Sequence, residues 1–344
     1  MPSLKEIKGR INSISSTLAI TSAMKMVASA KLQKAQMAIQ NMLPYERRLH
    51  SMLIDLMGAV NMSAPASEEG SARLVSLSNQ PDHTESEGAY SLMAQRQVHR
   101  VAIVAFASNS SLCGAFNSNV IREATAVINE YRASGLGDAD ITVYSVGRKM
   151  AEAMKKLGFP SPADFTKMSD SPSYDAASAL AQELFDGFVS GRFDKVELVY
   201  NHYKSTSSQP TTRQTYLPLS LADATADLQA GKIADSASES DTNRGAETVG
   251  APVVRQGSPT TEDLIVEPSK EALIAILLPK VIRLRIFTTL LDSAAAEHAA
   301  RTVAMQLATD NGNDLLQELT LEYNKGRQQK ITSEILDLVG GSLQ

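Results

Sequence analysis

Tryptophan is missing from this chain, and aromatic residues of all kinds make up only 5% of it. A core built mainly on Leu, Ile, Val, Met and Ala suits helix packing better than a β-sandwich. Cysteine occurs once, as Cys113, which excludes an intrachain disulfide and a cysteine-based metal cluster. The histidines stand at 50, 83, 99, 202 and 298. None forms a local constellation with Cys113, and neither an HExxH pair nor an EF-hand loop occurs. No cofactor or metal is expected from this inventory. No apolar run exceeds seven residues, 272–278 being one, far below the ~20 needed to span a bilayer. Residues 1–10 are polar and open directly onto a helical pattern, which is not the pattern of a signal peptide.

What is present is unevenly distributed. The 344 residues carry a net charge of −5 and suffice for one or two domains. Residues 1–50 hold eight basic and two acidic side chains, whereas 58–97 hold two and five, and 221–262 hold three and seven. The basic opening segment suits an acidic partner, and the two acidic stretches read as solvated insertions rich in Ser, Ala, Pro, Glu and Asp.

The N-terminal segment is periodic. Steps of three and four from Leu4 reach Ile7, Ile11, Ile14, Leu18, Thr21, Lys25, Ala28, Leu32, Ala35, Ile39, Met42, Glu46, Leu49, Leu53 and Leu56. Thirteen of these sixteen are apolar and the register never slips, which is a coiled-coil pattern. Ser3 and Glu6 fit a capping box. Lys25 and Glu46 are polar seam positions, which either fix register or mark where the helix leaves its partner. Pro44 predicts a kink within one helix. The other end, 269–339, reads as a second very long helix, with Pro279 a few turns in, an Ala-rich stretch at 294–304, and Gly312 and Gly326 farther on. Each glycine weakens a helix by roughly 1 kcal/mol relative to Ala, so such a helix needs outside support.

Between the insertions the pattern changes. Short apolar runs at 98–107, 141–146, 195–203 and 213–219 read as strands, and 117–133, 149–157 and 174–189 as helices. Alternation of this kind implies βαβ units and a mainly parallel sheet, with the last two strands as a hairpin. The loop ASNSSLCGAFN (107–117) sits where a nucleotide loop would sit. It has one glycine and no GK[ST], so neither a phosphate loop nor a dinucleotide fingerprint is satisfied. Cys113 fits a small structural residue in a tight turn. The residues alone leave three classes open: a nucleotide-binding α/β enzyme, a coiled-coil scaffold or nucleic-acid binder using the basic helix, and a part of a larger machine. The basic helix lacks the interleaved aromatics on which single strands stack.

Three segments carry a family likeness. SLKEIKGRINSISSTLAITSAMKMVASAKLQKAQ (3–36) resembles the N-terminal signature of the gamma subunit of F-type ATP synthase, SLCGAFN (111–117) its central motif, and residues 293–341 its C-terminal signature. The acidic insertions are not covered. The resemblance implies an α/β fold: an antiparallel coiled coil of the two terminal helices plus a central Rossmann-like domain with a mainly parallel, five-stranded-type sheet. The expected division is 1–57 helix, 58–97 insertion, 98–220 α/β domain, 221–262 insertion and 263–344 helix.

The resemblance also implies a non-catalytic rotor. Its partners are three alpha and three beta subunits, the epsilon subunit and the c-ring of the membrane sector. Nucleic acid is not among them, and membrane association is only through partners, on the cytoplasmic side of a bacterial plasma membrane. Matching motif by motif, it assigns Met24, Lys25, Arg301, Arg327, Gln328, Thr332 and Glu334 to contacts with the catalytic ring. One departure stands out. The family's central motif has an acidic residue, a basic residue and Gly before LCG, where this chain has Asn109, Ser110 and Ser111.

Overall fold

The structure, a computed structural model, describes residues 3–62, 92, 96–219, 267 and 269–341. Most of both acidic insertions therefore lies outside the described residues. Two helices dominate: α1, Leu4–Met62, and α6, Lys270–Gly341. At 59 and 72 residues they measure about 90 and 110 Å. Ser3 and Glu6 close the expected capping box: the Glu6 carboxylate accepts from Ser3 N at 2.9 Å, and Ser3 Oγ accepts from Glu6 N at 3.3 Å. The helical assignment runs through Pro44 and Pro279, and α1 continues to Met62, past the expected end at residue 57.

The two helices pair with each other, antiparallel and within one chain. Leu4 lies against Gly326 and Leu18 against Gly312, Leu32 packs with Ala295 and Ala299, and Glu46 meets Thr288. None of the sixteen heptad positions is fully exposed. The three polar ones each find a polar partner on α6. Thr309 Oγ1 lies 3.1 Å from Thr21 Oγ1, Lys25 Nζ donates to Gln306 Oε1, and Thr288 Oγ1 donates to Glu46 Oε1 at 3.1 Å. Slipping the seam by a heptad either way would set Glu46 opposite Val281 or Ala295, so its bond to Thr288 favours this register.

The central domain runs β1 (Val101–Phe106), α2 (Phe116–Ala133), β2 (Ile141–Val146), α3 (Arg148–Lys156), α4 (Thr166–Asp170), α5 (Tyr174–Val189), β3 (Lys195–Asn201) and β4 (Thr211–Leu217). The short α4 is not anticipated by the sequence pattern. Strand order is β2-β1-β3-β4, parallel except for β4. The sheet has four strands among the described residues, rather than the five of the expected type.

Every residue of β1 is buried, as expected of a strand covered on both faces. Val101, Ile103 and Ala105 point into a core with Val120, Val127, Met150 and Met154 from α2 and α3. Ala102, Val104 and Phe106 point the other way, into a core with Leu180 and Leu184 of α5, Leu49 and Leu53 of α1, and Leu278 and Ile286 of α6. The base of the coiled coil is thus one of the layers that cover the sheet. Gly147, at φ +96°, starts α3 so close to β1 that a Cβ there would lie 2.0 Å from the Ala107 carbonyl oxygen. Only glycine fits.

Candidate functional site: the shaft and its exit from the domain

Along α6 the surroundings change in one step. From Leu277 to Ala299 most residues are buried; from Leu307 onward most are exposed. Ala294, Ala295, Ala296 and Ala299 are the contact surface at the junction. Their small side chains let α6 approach Leu32 of α1 on one side and, on another, Cys113 of the β1–α2 loop and Phe116 at the start of α2.

Polar side chains fasten the same level. Asp292 accepts from Tyr203 N at 2.9 Å and meets His202 Nδ1 at 2.6 Å, tying α6 to the β3–β4 hairpin. Gln36 of α1 donates to the Tyr203 hydroxyl at 2.6 Å. The hydrogen bond to Asp292 raises the pKa of His202, opposed by partial burial. Arg301 pairs with Glu297 at 2.7 Å, with side chains 12% and 10% exposed, and donates to Ser110 Oγ at 2.7 Å. Burial holds the Glu297 carboxyl above the usual carboxylate range, against the pull of Arg301. Burial, then Arg301 and Lys31, push His298 down to about 4. His298 is therefore a neutral ring, with Nδ1 3.5 Å from the Arg301 guanidinium.

The loop before α2 is filled by its own side chain. Asn117 Oδ1 accepts from Ser108 N at 3.0 Å, while Nδ2 reaches the Ser110 carbonyl at 3.1 Å and Cys113 Sγ at 3.2 Å. A phosphate loop points converging N–H groups at an open space; here that interior is occupied by a carboxamide. Cys113 is buried, as a small structural residue in the turn. Leu112, at φ +68°, projects outward and is 57% exposed.

The seven residues assigned by resemblance lie at three levels. Met24 is half-buried on α1, beside Lys25, whose ammonium is engaged with Gln306. Arg301 lies five residues along α6 from that pair, about 8 Å at the helical rise, and its polar contacts, with Glu297, His298 and Ser110, are within the chain. Arg327, Gln328, Thr332 and Glu334 are all exposed near the far end. There Thr332 Oγ1 donates back to the Gln328 carbonyl at 2.9 Å, and Lys330 pairs with Glu334 at 3.7 Å. They form no common pocket.

What the sequence reading missed are the long-range partners: Ser110 for Arg301, Tyr203 for Gln36, and His202 for Asp292. It also missed the buried Glu197 on β3, which accepts from Tyr131 at 2.6 Å and Arg213 at 2.7 Å and pairs with Lys195 at 2.7 Å. A charged residue inside the apolar run of β3 was the one available signal for that network.

Large apolar side chains are exposed along the shaft. On α1 they include Ile20, Met26 and Val27, and toward the end of α6 Leu321, Ile335, Leu336 and Leu338, the last 75% exposed. Ile335, Leu336 and Leu338 lie close together in sequence at the end of α6, and apolar side chains left uncovered in a group suit a surface for a partner.

Comparison with known proteins agrees with this architecture. The family model described as ATP synthase matches residues 3–343. The ATP synthase gamma chain of Phocaeicola vulgatus is 48% identical over 343 residues, covering 100% of both chains. That of Bacteroides thetaiotaomicron is 47% identical over 344 residues, again covering 100% of each. Among solved structures, a chain of the Euglena gracilis mitochondrial ATP synthase (OSCP/F1/c-ring) superposes with a TM-score of 0.54 at 18% identity, covering 99% of this chain and 93% of that one. A chain from the rotor of the same enzyme gives 0.51 at 18%, covering 95% and 98%; both show likeness of fold. With one family match running almost end to end and relatives nearly half identical over their full length, the chain belongs to the ATP synthase gamma-chain family.

Proposed function

We infer that this chain is the central-stalk rotor subunit of a bacterial F-type ATP synthase, coupling ion flow through the membrane sector to ATP synthesis in the catalytic ring. The observation that carries it is the two-part shaft. One end is built into an α/β domain, and the other projects as two helices with large apolar side chains exposed. A projecting coiled coil of this composition needs a sleeve, and a ring of alternating alpha and beta subunits, three of each, supplies one.

The shaft is asymmetric, so it makes different contacts with each beta subunit. Turning it shifts which of the ring's states is favoured at each position. Met24, Lys25, Arg301, Arg327, Gln328, Thr332 and Glu334 face or support that contact. The basic N-terminal segment suits an acidic loop of the beta subunit. The α/β domain, residues 98–220, faces the epsilon subunit and the c-ring. The chain contributes no catalytic group and binds no cofactor. No helix among the described residues is long and apolar enough to cross a membrane. Association with the cytoplasmic face of the plasma membrane is through those partners.

Co-expression with alpha and beta subunits is expected to give an ATP-hydrolysing complex containing one copy of this chain. A ring that assembles identically and keeps full coupled activity without it would overturn the reading. Met24→Lys adds a cation beside the acidic loop and is expected to lower ions pumped per ATP more than it lowers assembly. An unchanged pumping ratio would remove Met24 from the contact.

A further inference from the structure

Most hydroxyl side chains of α6 are satisfied by the helix itself. Thr289, Thr302, Thr309, Thr320 and Thr332 each donate to the carbonyl four residues earlier, at 2.7–2.9 Å. Ser293 does not follow them. It is only 6% exposed, and among the described residues its hydroxyl forms no hydrogen bond. Buried polar groups in folded proteins are satisfied by other protein groups or by ordered water, because leaving one unpaired costs free energy.

Ser293 lines a small cavity. The walls come from four elements: Leu290, Ser293 and Glu297 of α6, Phe106 at the end of β1, Val146 at the end of β2, and Ser169 of α4. The volume is about 10 Å³, close to one water-sized sphere. Its polar groups are complementary. Ser293 and Glu297 lie one turn apart and share a face of α6. Glu297 gives Oε1 to Arg301 at 2.7 Å, and a carboxylate has further lone pairs to offer. Ser169 spends its proton on the Ala107 carbonyl at 3.0 Å, so its oxygen is left to accept.

We propose that this cavity is a binding site for one structural water, which accepts from Ser293 Oγ and donates to the Glu297 carboxylate and to Ser169 Oγ. Each proton then has an acceptor, and three hydrogen bonds are what a buried water ordinarily makes. Cavities that stay dry are lined by apolar groups instead. A metal ion is disfavoured, because Arg301 and Lys31 already place positive charge on Glu297. The water ties α6 to α4 and hydrates a carboxylate whose ionised form burial opposes. It thereby supports the group that pairs with Arg301. The site belongs to the interior of the chain and stands apart from the rotor reading.

A high-resolution crystal structure of the full chain in its complex tests the site directly. One density peak is expected, with Ser293 Oγ, Ser169 Oγ and a Glu297 carboxylate oxygen each about 2.6–3.2 Å away. A cavity without density, or a peak ringed by about six oxygens as a metal ion would be, overturns the proposal. Stability gives a second arm, because the sign of the effect depends on what fills the cavity. With a water in place, Ser293→Ala breaks a hydrogen bond; in a dry cavity it removes an unsatisfied buried hydroxyl. Ser29→Ala, on an exposed face of α1, measures the gain in helix propensity alone. In denaturant unfolding of the full chain, the midpoint of Ser293→Ala is expected to fall below that of Ser29→Ala. A midpoint equal to it or higher overturns the water.

Discussion

Between Leu277 and Ala299 the C-terminal helix has the sheet, α5 and α1 around it; beyond Leu307 it has, among the described residues, α1 alone. The two halves are continuous and both rich in leucine and isoleucine, yet they use those side chains in opposite ways. Leu278 and Ile286 are fully buried, whereas Leu321 and Leu336 are each 64% exposed. In the first half apolar side chains build the protein's own core. In the second they are presented outward, while the narrow seam toward α1 is kept by one stripe of residues. Apolar content in a long helix does not by itself report burial. The number of neighbouring elements does.

The comparison can be broken most directly by matched truncations. Leu278→Ala is expected to destabilise the chain by about 2–5 kcal/mol, the cost of a buried Leu→Ala cavity. Leu336→Ala should stay within about 0.5 kcal/mol. Denaturant unfolding of the full chain measures both. Equal losses would mean that the tip is part of the folded core and not a surface for a sleeve.

The glycines sharpen the same contrast at smaller scale. A Cβ on Gly9 of α1 would meet nothing within 4 Å, whereas a Cβ on Gly312 would lie 2.6 Å from Leu18 Cδ2. Gly9→Ala should stabilise the chain by up to about 1 kcal/mol through helix propensity. Gly312→Ala should gain less or lose stability, because Leu18 must move to accept the methyl. The order of the two unfolding midpoints checks the antiparallel register at that level.

The smallest effect concerns the fastening at Asp292. Its hydrogen bond raises the pKa of His202 in the folded chain. Stability from this pair is therefore fully present below the unfolded value near 6.5 and is lost as pH rises through the folded pKa. With the His202 side chain half exposed, the contribution is at most about 1 kcal/mol. Asp292→Asn should lower the unfolding midpoint at pH 6 and make progressively less difference toward pH 9. A gap that widens with pH would reverse the sign argued here.

Much of this was readable in residue order. The heptads from Leu4 to Leu56 mark the inward face of α1, because a helix repeats its face every three to four residues and that period survives any tertiary arrangement. The apolar run at 101–106 marks a strand covered on both sides, and the missing glycines of the 107–117 loop argue against a phosphate site. The α4 turn was not readable, being five residues long, too short to show a period.

The partners of polar side chains were not readable either. Lys25 and Glu46 stood out as exceptions in the seam, but only the antiparallel pairing set Gln306 and Thr288 opposite them. Arg301 carried a family assignment as a contact for another subunit, and the fold placed Ser110, from a loop 191 residues away in sequence, within hydrogen-bond reach. The sequence by itself determined the elements, their apolar faces and the family, since each depends on neighbours a few residues apart. Only the tertiary structure decided where the shaft leaves its domain and which charges meet there. Those contacts join residues whose separation along the chain carries no trace of their distance in space.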